Sequence, residues 1–331
     1  MFIKKGNHYH PHYFFKQVDS LPNSTFLMMK NGEDFYLQEI TPFSIPTKLY
    51  GGFEQMADRV KETFSRKDTS VGALFTGYKG MGKTILAKLV CHKASMPTIL
   101  ISEPFSGASL QGFLDVITQE CIVLIDEAEK VYKDKQEELL PLLDGVIKTK
   151  KLFLLTSNDK DLNSFLMNRP GRLHYHFHFD SLTEDVITEV VEDKLENEDK
   201  KEELIEFALD LGHISMDGLL ALIFEINSYN QSPMEAVRHL NINVEQALYD
   251  VTMIVGGKHY VTTFTGHPYQ SPKYMIYYQE GNDYWSRNSY EVVLKDAARF
   301  RGGGGDVELR FDDGTLIKFK KVKTERTQLL N

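Results

Sequence analysis

The chain has 331 residues, of which 42% are hydrophobic and 26% charged, so it can bury the core of two or three globular units. The formal net charge of −9 gives no electrostatic case for nucleic-acid binding, and the segment 184–206 alone carries eleven acidic residues against three lysines. Cys91 and Cys121 lack CxxC spacing, which predicts reduced thiols. No apolar run reaches the roughly 20 residues of a membrane span, and we expect a cytoplasmic protein.

Residues 1–45 are predicted to form a small N-terminal β element, because apolar and aromatic residues flank Asn31-Gly32, a dipeptide that favours hairpin turns. Residues 46–180 alternate short apolar runs with helix-like stretches, which is the pattern of parallel strands connected by helices. The runs are VGALFTG, TILIS, CIVLID, KLFLLTSN and HYHFHF. This segment predicts an α/β core with a parallel sheet.

Residues 181–253 contain no strand-like run and show helical spacing, with Gly212 as a predicted helix stop. From 254 to 331 the chain changes to short strand-like runs separated by turn residues, with a hairpin predicted at Asp313-Gly314. A helical segment is therefore predicted to follow the sheet, and a small β domain is predicted at the C-terminus.

The strongest motif is GYKGMGKT at 77–84, between the strand VGALFT and the helix-like ILAKLVCHKA. Such a loop directs backbone N–H groups at phosphate oxygens, while Lys83 adds a positive charge and the Thr84 hydroxyl can bind Mg²⁺. A glycine-rich turn matched by chance is the alternative. The downstream residues favour the phosphate-binding interpretation.

Two further strands are predicted to end in polar residues. The run CIVLI ends in Asp126-Glu127, where Asp126 can bind Mg²⁺ and Glu127 can orient or deprotonate water. The run KLFLLTS ends in Asn158, an amide at the predicted position of a γ-phosphate or an attacking water. The alternative for Asp126-Glu127 is an acidic first turn of a helix.

On these motifs residues 46–230 resemble the AAA+ ATPases, specifically their AAA branch. GYKGMGKT and IVLIDE resemble Walker A and Walker B, Asn158 resembles sensor 1, and LLDGV at 142–146 resembles the segment before the sensor strand. The resemblance implies ATP and Mg²⁺ as cofactors, with Thr84 and Asp126 on the metal. It also implies nucleotide contacts from Gly77, Tyr78, Lys79, Gly80, Met81, Gly82, Lys83, Thr84 and Ile85.

The segment NRPGR begins ten residues after Asn158 and places Arg169 and Arg172 on a short Pro-Gly turn. The pair resembles the arginines of the family that face the nucleotide of the neighbouring subunit. The resemblance implies a head-to-tail ring, of six subunits in the family's pattern, in which the arginines act in catalysis with Lys83, Glu127 and Asn158. A solvated turn or a local ion pair is the alternative.

Two weaker similarities stay open between a functional and a structural interpretation. Tyr50-Gly51 lies where the family's linker packs beside adenine, and a simple turn before a helix explains it equally well. Phe105 and Gly107 resemble the aromatic-x-Gly pore loop that grips threaded polypeptide. Phe105 is equally explained as an anchor of its loop to the core.

Two clusters have structural explanations that we favour. His174, His176 and His178 share one face of a predicted strand, but this spacing spreads them over about 13 Å, too far for one tetrahedral metal. His8, His10 and His12 repeat the spacing near the N-terminus. Several tyrosines, Trp285 and four lysines of the C-terminal domain fit a recognition surface, and a β core with a solvated lysine edge explains them better.

The sequence therefore predicts an Mg²⁺-dependent, ring-forming AAA ATPase that remodels or disassembles a protein partner. A nucleic-acid motor or loader is the first alternative, motivated by the lysines of the final hairpin. A nucleotide-controlled scaffold is the second, and Glu127 argues against it because a pure binding module has no need of a water-activating carboxylate.

Overall fold

The structure, a computed structural model, divides into two compact units. One consists of Met1–Gly77 and Lys83–His178, and the other of Tyr78–Gly82 and Phe179–Asn331. The predicted boundaries at 45, 180 and 253 stay a prediction. The structure describes residues 2–5, 8–11, 18–32, 34–143, 149–158, 173–211, 213–237, 239–242, 247–266, 268, 273–279, 287–301 and 306–322.

Seven strands form the central sheet of the first unit, and a separate hairpin joins β1 (Phe2–Lys5) to β2 (His8–Pro11). The strands of the sheet are β3 (Thr25–Asn31), β4 (Asp34–Ile40), β5 (Val71–Gly77), β6 (Thr98–Ile101), β7 (Cys121–Ile125), β8 (Lys151–Ser157) and β9 (Tyr175–Phe179). Their order is β4-β3-β6-β7-β8-β5-β9. The pairs β3–β6, β6–β7, β7–β8 and β8–β5 are parallel, so the predicted α/β fold is confirmed.

The three central strands β5, β7 and β8 are buried at every residue. Their apolar runs have no polar alternation, as expected for parallel strands that are covered on both faces. The helices of this unit are α1 (Phe53–Arg66), α2 (Lys83–Ala94), α3 (Gly107–Val116), α4 (Ala128–Tyr132) and α5 (Leu140–Leu143), with a 3₁₀ segment at Lys133–Leu139. The loops after β5 and β7 lead into α2 and α4, respectively.

The predicted N-terminal hairpin is present and is part of the central sheet. Asn31 pairs with Asp34 across the turn, and Gly32 has a φ of 64°, which a residue with a Cβ adopts only under strain. Strand β3 also pairs in parallel with β6, and Phe26 and Met28 are buried. The hairpin extends the sheet because it covers the edge that β6 would otherwise leave open.

A buried lysine closes the C-terminal end of α3. Lys151, the first residue of β8, is fully buried, and its Nζ donates to the carbonyl oxygens of Ile117 and Gln119, both at 2.8 Å. Burial lowers the pKa of Lys151, while Cys121, Asp115 and Glu120 oppose that shift. The ammonium group thus satisfies two carbonyls that have no other place in the helix ladder.

The second unit begins with helices, as predicted. They are α6 (Glu184–Lys194), α7 (Lys201–Asp210), α8 (Met216–Tyr229) and α9 (Pro233–Val237), with a 3₁₀ turn at Glu198–Lys200. Helix α8 is capped by Ser215, whose Oγ accepts from the N–H of Gly218 at 3.1 Å. Gly212, the predicted helix stop, lies outside the described residues.

The rest of the second unit is antiparallel β structure, and its first strand begins at Ala247, inside the segment 181–253 that the sequence predicted to be helical. Its strands are β10 (Ala247–Val255), β11 (Lys258–Gly266), β12 (Lys273–Gln279), β13 (Arg287–Val293), β14 (Ala297–Arg301), β15 (Val307–Phe311) and β16 (Leu316–Lys321), with a 3₁₀ turn at Leu294–Asp296. Five of them form a sheet in the order β11-β10-β16-β15-β14, and β12 pairs with β13. Across both units, no described helix is long and apolar enough to cross a membrane.

The C-terminal tyrosines and lysines fit a β core better than an open binding surface. Burial raises the pKa of Tyr274, and the rings of Tyr260 and Tyr278 lie 4.4 Å apart. Lys318 Nζ lies 2.7 Å from a Glu308 carboxylate oxygen. Tyr277 is exposed. Three further residues of this predicted aromatic and basic cluster, Tyr284, Trp285 and Lys323, lie outside the described residues.

We expect Lys151→Met to lower the free energy of unfolding by about 2 kcal/mol, because two carbonyl oxygens lose charge-assisted hydrogen bonds. Urea denaturation followed by circular dichroism measures this change. The matched control is Lys61→Met on the exposed face of α1, which should change the free energy by less than about 0.5 kcal/mol. Equal stabilities of the two variants would contradict the role assigned to Lys151.

Candidate functional site

Three polar strand ends meet at one edge of the central sheet. Strands β7, β8 and β5 are consecutive neighbours and parallel, and they lead into Asp126, Asn158 and Gly77. The carboxyl ends of parallel strands form the usual ligand-binding edge of an α/β sheet. The residues that the sequence singled out at these three strand ends are therefore neighbours in the first unit.

Lys83 is held at this edge by the loop after β5. Gly77, Gly80 and Gly82 all have positive φ angles, at 130°, 77° and 88°, which explains the glycines of the motif. Lys83 is only 6% exposed, and its Nζ donates to the carbonyl oxygen of Gly77 at 2.9 Å. The chain thus turns sharply and returns the ammonium group to the strand end.

Burial lowers the pKa of Lys83, and three nearby carboxylates oppose this shift. In decreasing order of effect they are Glu129, Asp126 and Glu127. The positive charge of Lys83 is thus already balanced by carboxylates, so an added polyphosphate needs a cation or the movement of a carboxylate at this edge.

Asp126 accepts hydrogen bonds from two threonine hydroxyls. Thr84 Oγ1 donates to Asp126 Oδ1 at 2.8 Å, and Thr156 Oγ1 donates to the same oxygen at 2.6 Å. Thr156 Oγ1 in turn accepts from the backbone N–H of Glu127 at 2.8 Å. A hydroxyl and a carboxylate oxygen in contact are hard oxygen ligands, which Mg²⁺ prefers. Thr84 and Asp126 therefore fit the metal that the sequence predicted for them.

Glu127 has a left-handed backbone, with a φ of 52° and a ψ of 54°. This conformation is uncommon for a residue other than glycine and often marks functional positions. Its Oε1 accepts from Asn158 Nδ2 at 3.1 Å and from Lys130 Nζ at 2.5 Å. The structure thus brings together Glu127 and Asn158, which the sequence had placed on different strands.

Sequence reasoning missed Glu129 and Thr156. Asn158 Nδ2 donates to Glu129 Oε1 at 3.0 Å as well as to Glu127. Thr156 was detectable from the sheet register, because the pairing of Ile125 with Leu155 sets Asp126 opposite Thr156. For Glu129 the signal is its position two residues after Glu127, which the sequence explained as part of an acidic helix start.

The second unit contains a cavity of about 760 Å³ beside the residues Tyr78–Met81 of the glycine-rich loop. The ring centroids of Tyr78 and His213 are 5.3 Å apart, and the N–H of Asp217 donates to Gly80 O at 3.3 Å. A Cβ on Gly80 would lie 2.9 Å from Asp217 Oδ2, and the φ of 77° at this position favours glycine. The remaining lining residues are Asp180, Ile214, Ser215, Gly218, Ala221, Leu240, Asn241 and Ile242.

This cavity has the character of a small-molecule site. Apolar side chains and a few polar groups line it, which is the usual composition of a pocket for a drug-sized ligand. The sequence had predicted nucleotide contacts for Tyr78, Lys79, Gly80 and Met81, and all four line the cavity. Ile85, the last predicted contact, lies in the first turn of α2.

Tyr50 and Gly51 are placed in the first unit, just before α1. Tyr50 is buried, with Lys48 Nζ 5.3 Å from its ring centre, and Gly51 and Gly52 form a turn with positive φ angles. This turn is the structural explanation that the sequence offered. Contact with adenine stays a prediction.

The predicted pore-loop residues are packed into the core, which fits the anchoring role that the sequence left open beside the pore loop. Phe105 is only 6% exposed and makes an edge-to-face contact with Phe35 at 5.3 Å. Gly107 begins α3, its N–H donates to Glu138 Oε2 at 2.6 Å, and a Cβ on it would lie 2.3 Å from Glu138 O. The short segment leaves no free length on which Phe105 can project, so it anchors the loop.

Two other predicted sets have different outcomes. Arg169 and Arg172, and most of the LLDGV segment, lie outside the described residues.

His176 Nε2 and His178 Nδ1 lie 2.6 and 2.8 Å from Thr76 Oγ1, and His174 Nδ1 lies 3.0 Å from Lys67 Nζ. Over the described part of the chain, no group of three or more His, Cys, Asp or Glu side chains is arranged to hold a metal ion.

Comparison with known proteins identifies the family of this site. Residues 73–181 match the model of the ATPase family associated with various cellular activities (AAA). The mitochondrial inner membrane m-AAA protease component YTA10 of Saccharomyces cerevisiae is 28% identical over 137 residues, which cover 33% of this chain and 18% of that protein.

Two further relatives match over similar lengths. The ATP-dependent zinc metalloprotease FtsH of Heterosigma akashiwo is 29% identical over 172 residues, 41% of this chain and 26% of its own. The peroxisomal ATPase PEX1 of Cricetulus griseus is 32% identical over 124 residues, 31% of this chain and 10% of its own. The chain thus spans 26% or less of the length of these three relatives. The matched region contains all three strand ends of the site, and this part of the chain is similar to the AAA family of ATPases.

Proposed function

We propose that this chain hydrolyses ATP with Mg²⁺ as part of a ring of identical subunits and uses the hydrolysis to remodel or disassemble a protein partner. The observation that carries the proposal is the arrangement at the edge of the central sheet. There Lys83 is buried beside three carboxylates, Thr84 bonds to Asp126, and Asn158 bonds to Glu127. These are the groups that a phosphoryl-transfer site needs for binding, metal contact and water activation.

In this proposal the loop 77–84 and Lys83 bind the triphosphate. Backbone N–H groups of a glycine-rich loop and the N-terminus of the 12-residue helix α2 stabilise phosphate oxygens. The Lys83 ammonium is released from the Gly77 carbonyl to contact the β- and γ-phosphates.

Thr84 and Asp126 would hold Mg²⁺ through their hydroxyl and carboxylate oxygens. When bound, the ion supplies positive charge to the phosphate oxygens. Thr156 keeps Asp126 in place by donating to its Oδ1 at 2.6 Å.

Glu127 is proposed to accept a proton from the attacking water. Its carboxylate is partly exposed, with 37% of the side chain accessible, so a water molecule can reach it. Asn158 orients the carboxylate through the 3.1 Å hydrogen bond, and we assign its side-chain amide to the γ-phosphate as well. A positioned general base contributes typically 10²–10⁴-fold to a reaction rate.

A protein is the partner that we favour over nucleic acid. Two relatives are named as a protease or a protease component, and proteases act on polypeptides. The C-terminal lysines that motivated the nucleic-acid alternative include Lys318, which is paired with Glu308. Phe105 plays no part in this proposal because it is buried.

We expect Glu127→Gln to lower kcat for ATP by about 100-fold or more while the Kd of ATP stays within about threefold, because the amide keeps the shape but accepts no proton. A coupled ATPase assay and isothermal titration calorimetry measure the two quantities. The control is Glu103→Gln, an exposed glutamate shortly after β6, which should keep wild-type kcat. Wild-type kcat in Glu127→Gln would contradict the proposed role of Glu127.

If the arginines act on the nucleotide bound to the neighbouring subunit, two inactive variants should complement each other. A protein with Arg169→Ala and Arg172→Ala keeps its own Glu127, and the Glu127→Gln protein keeps its arginines. Mixed in equal amounts, they should recover about a quarter of wild-type activity, because about one head-to-tail contact in four joins an intact site to intact arginines. Each variant alone should be on the order of 10³-fold slower than wild type.

The same mixing experiment shows whether the arginines act on the neighbouring subunit or on their own chain. Activity no greater than the average of the two separate variants would show that the arginines serve their own chain or that no ring forms. Light scattering on the Glu127→Gln protein with ATP and Mg²⁺ then distinguishes these two cases, because only a ring gives a mass of several subunits.

A further inference from the structure

The side-chain amide of Asn158 is shared between two carboxylates. Its Nδ2 donates to Glu127 Oε1 at 3.1 Å and to Glu129 Oε1 at 3.0 Å. An amide NH₂ group has two hydrogens, so both donors of Asn158 are in use in this structure. An oxygen of the γ-phosphate can accept from Asn158 only after one of the two carboxylates has released it.

Glu129 is the carboxylate that is more easily replaced by a phosphate. Its Oε1 has the bond to Asn158, and its Oε2 is buried with no hydrogen-bond donor among the described residues. Glu127, in contrast, is also fixed by Lys130 Nζ and by the bond from its backbone N–H to Thr156. A buried carboxylate oxygen without a donor is unfavourable, so Glu129 gains by moving to water.

The carboxylate of Glu129 also interacts electrostatically with the Lys83 ammonium group. Among the three carboxylates that oppose the pKa shift of Lys83, Glu129 has the largest effect. Glu129 thus places a negative charge near Lys83 while it accepts one of the two N–H groups of the Asn158 amide. The proposed function assigns these two interactions, one with the lysine and one with the asparagine, to the γ-phosphate of ATP.

We propose that Glu129 is an internal substitute for the γ-phosphate, which holds Asn158 in the nucleotide-free protein and which ATP must displace. The inference rests on the proposed function, since it assigns Lys83 and Asn158 to the γ-phosphate. ADP has no γ-phosphate and does not compete with Glu129. The competition therefore weakens the binding of ATP while leaving the binding of ADP almost unchanged.

Glu129 would then set how well the site distinguishes ATP from ADP. A ligand that must first displace an internal group binds with an apparent affinity reduced by the fraction of protein in which that group has moved away. Displacement also replaces Glu129 by the γ-phosphate on Asn158, while the bond from Asn158 to Glu127 remains. The γ-phosphate is thereby coupled to the orientation of the water-activating carboxylate.

The test is the ratio of the Kd of ADP to the Kd of the β,γ-imido analogue of ATP, measured by calorimetry with Mg²⁺. We expect this ratio to rise about tenfold in Glu129→Gln, because a neutral oxygen holds the amide less tightly than a carboxylate and repels phosphate less. In Glu129→Ala, where the acceptor is absent, the rise should be at least as large. The control Glu103→Gln removes an exposed carboxylate and should leave the ratio unchanged.

A double-mutant cycle with Asn158→Ala shows whether Glu129 acts through Asn158. If it does, most of the effect of Glu129→Gln disappears in the Asn158→Ala background. A residue that only supports the fold would instead change both dissociation constants together. Thermal unfolding of each variant identifies any loss of folded protein.

Three results would overturn the inference. They are an unchanged ratio in both Glu129 variants, a lower ratio, and an effect that persists in full without Asn158. Binding of both nucleotides by the wild-type protein, together with any of these results, would remove only the inference about Glu129. Failure of the wild-type protein to bind either nucleotide would contradict the proposed function, and the inference with it.

Discussion

The parallel pairing of β7, β8 and β5 is the constraint on which the site depends. Backbone hydrogen bonds fix Ile125 beside Leu155 and Phe75 beside Thr156, so the three strand ends are set relative to one another within a residue. A slip of one residue would turn every side chain of a strand to its opposite face. Because these strands are buried at every residue, such a slip would also break their packing, and the core therefore enforces the geometry of the site.

The charges at this edge are unbalanced when no nucleotide is bound. One buried ammonium, that of Lys83, faces three carboxylates, and each of them accepts from a hydroxyl or amide donor. A triphosphate adds further negative charge, so its binding requires a cation and a rearrangement of at least one carboxylate. The excess of negative charge that requires a metal ion also repels the Glu129 carboxylate when a triphosphate binds. We therefore expect the position of Glu129 to differ between the nucleotide-free and the ATP-bound protein.

Much of the fold could be predicted from the sequence, because each element has a strong local signal. Uninterrupted apolar runs predicted the parallel strands, and Asn31-Gly32 predicted the hairpin. The attachment of this hairpin to β6 was not predictable, because strand pairing between residues some 70 positions apart leaves no local pattern. The helical and β parts of the second unit were expected for the same reason as the core, from spacing and turn residues.

The site was predictable where a residue type and its place at a strand end coincide, as for Lys83, Asp126 and Asn158. It was not predictable where the role depends on a contact. Glu129 looks like any acidic residue of a first helical turn, and only its distance to Asn158 distinguishes it. For Phe105 the sequence left two interpretations open, because an aromatic-x-Gly sequence says nothing about the direction in which the ring points, and here the ring contacts Phe35.

The tautomers of two histidines of β9 are coupled through a threonine hydroxyl. His176 Nε2 and His178 Nδ1 both contact the Thr76 hydroxyl, which has a single hydrogen to donate. When both rings are neutral, one imidazole accepts that hydrogen and the other donates its own, so the tautomer of one ring dictates the tautomer of the other. Reversing the hydroxyl moves protons on both rings at once, and the two histidines behave as one coupled unit at the residue that precedes the glycine-rich loop.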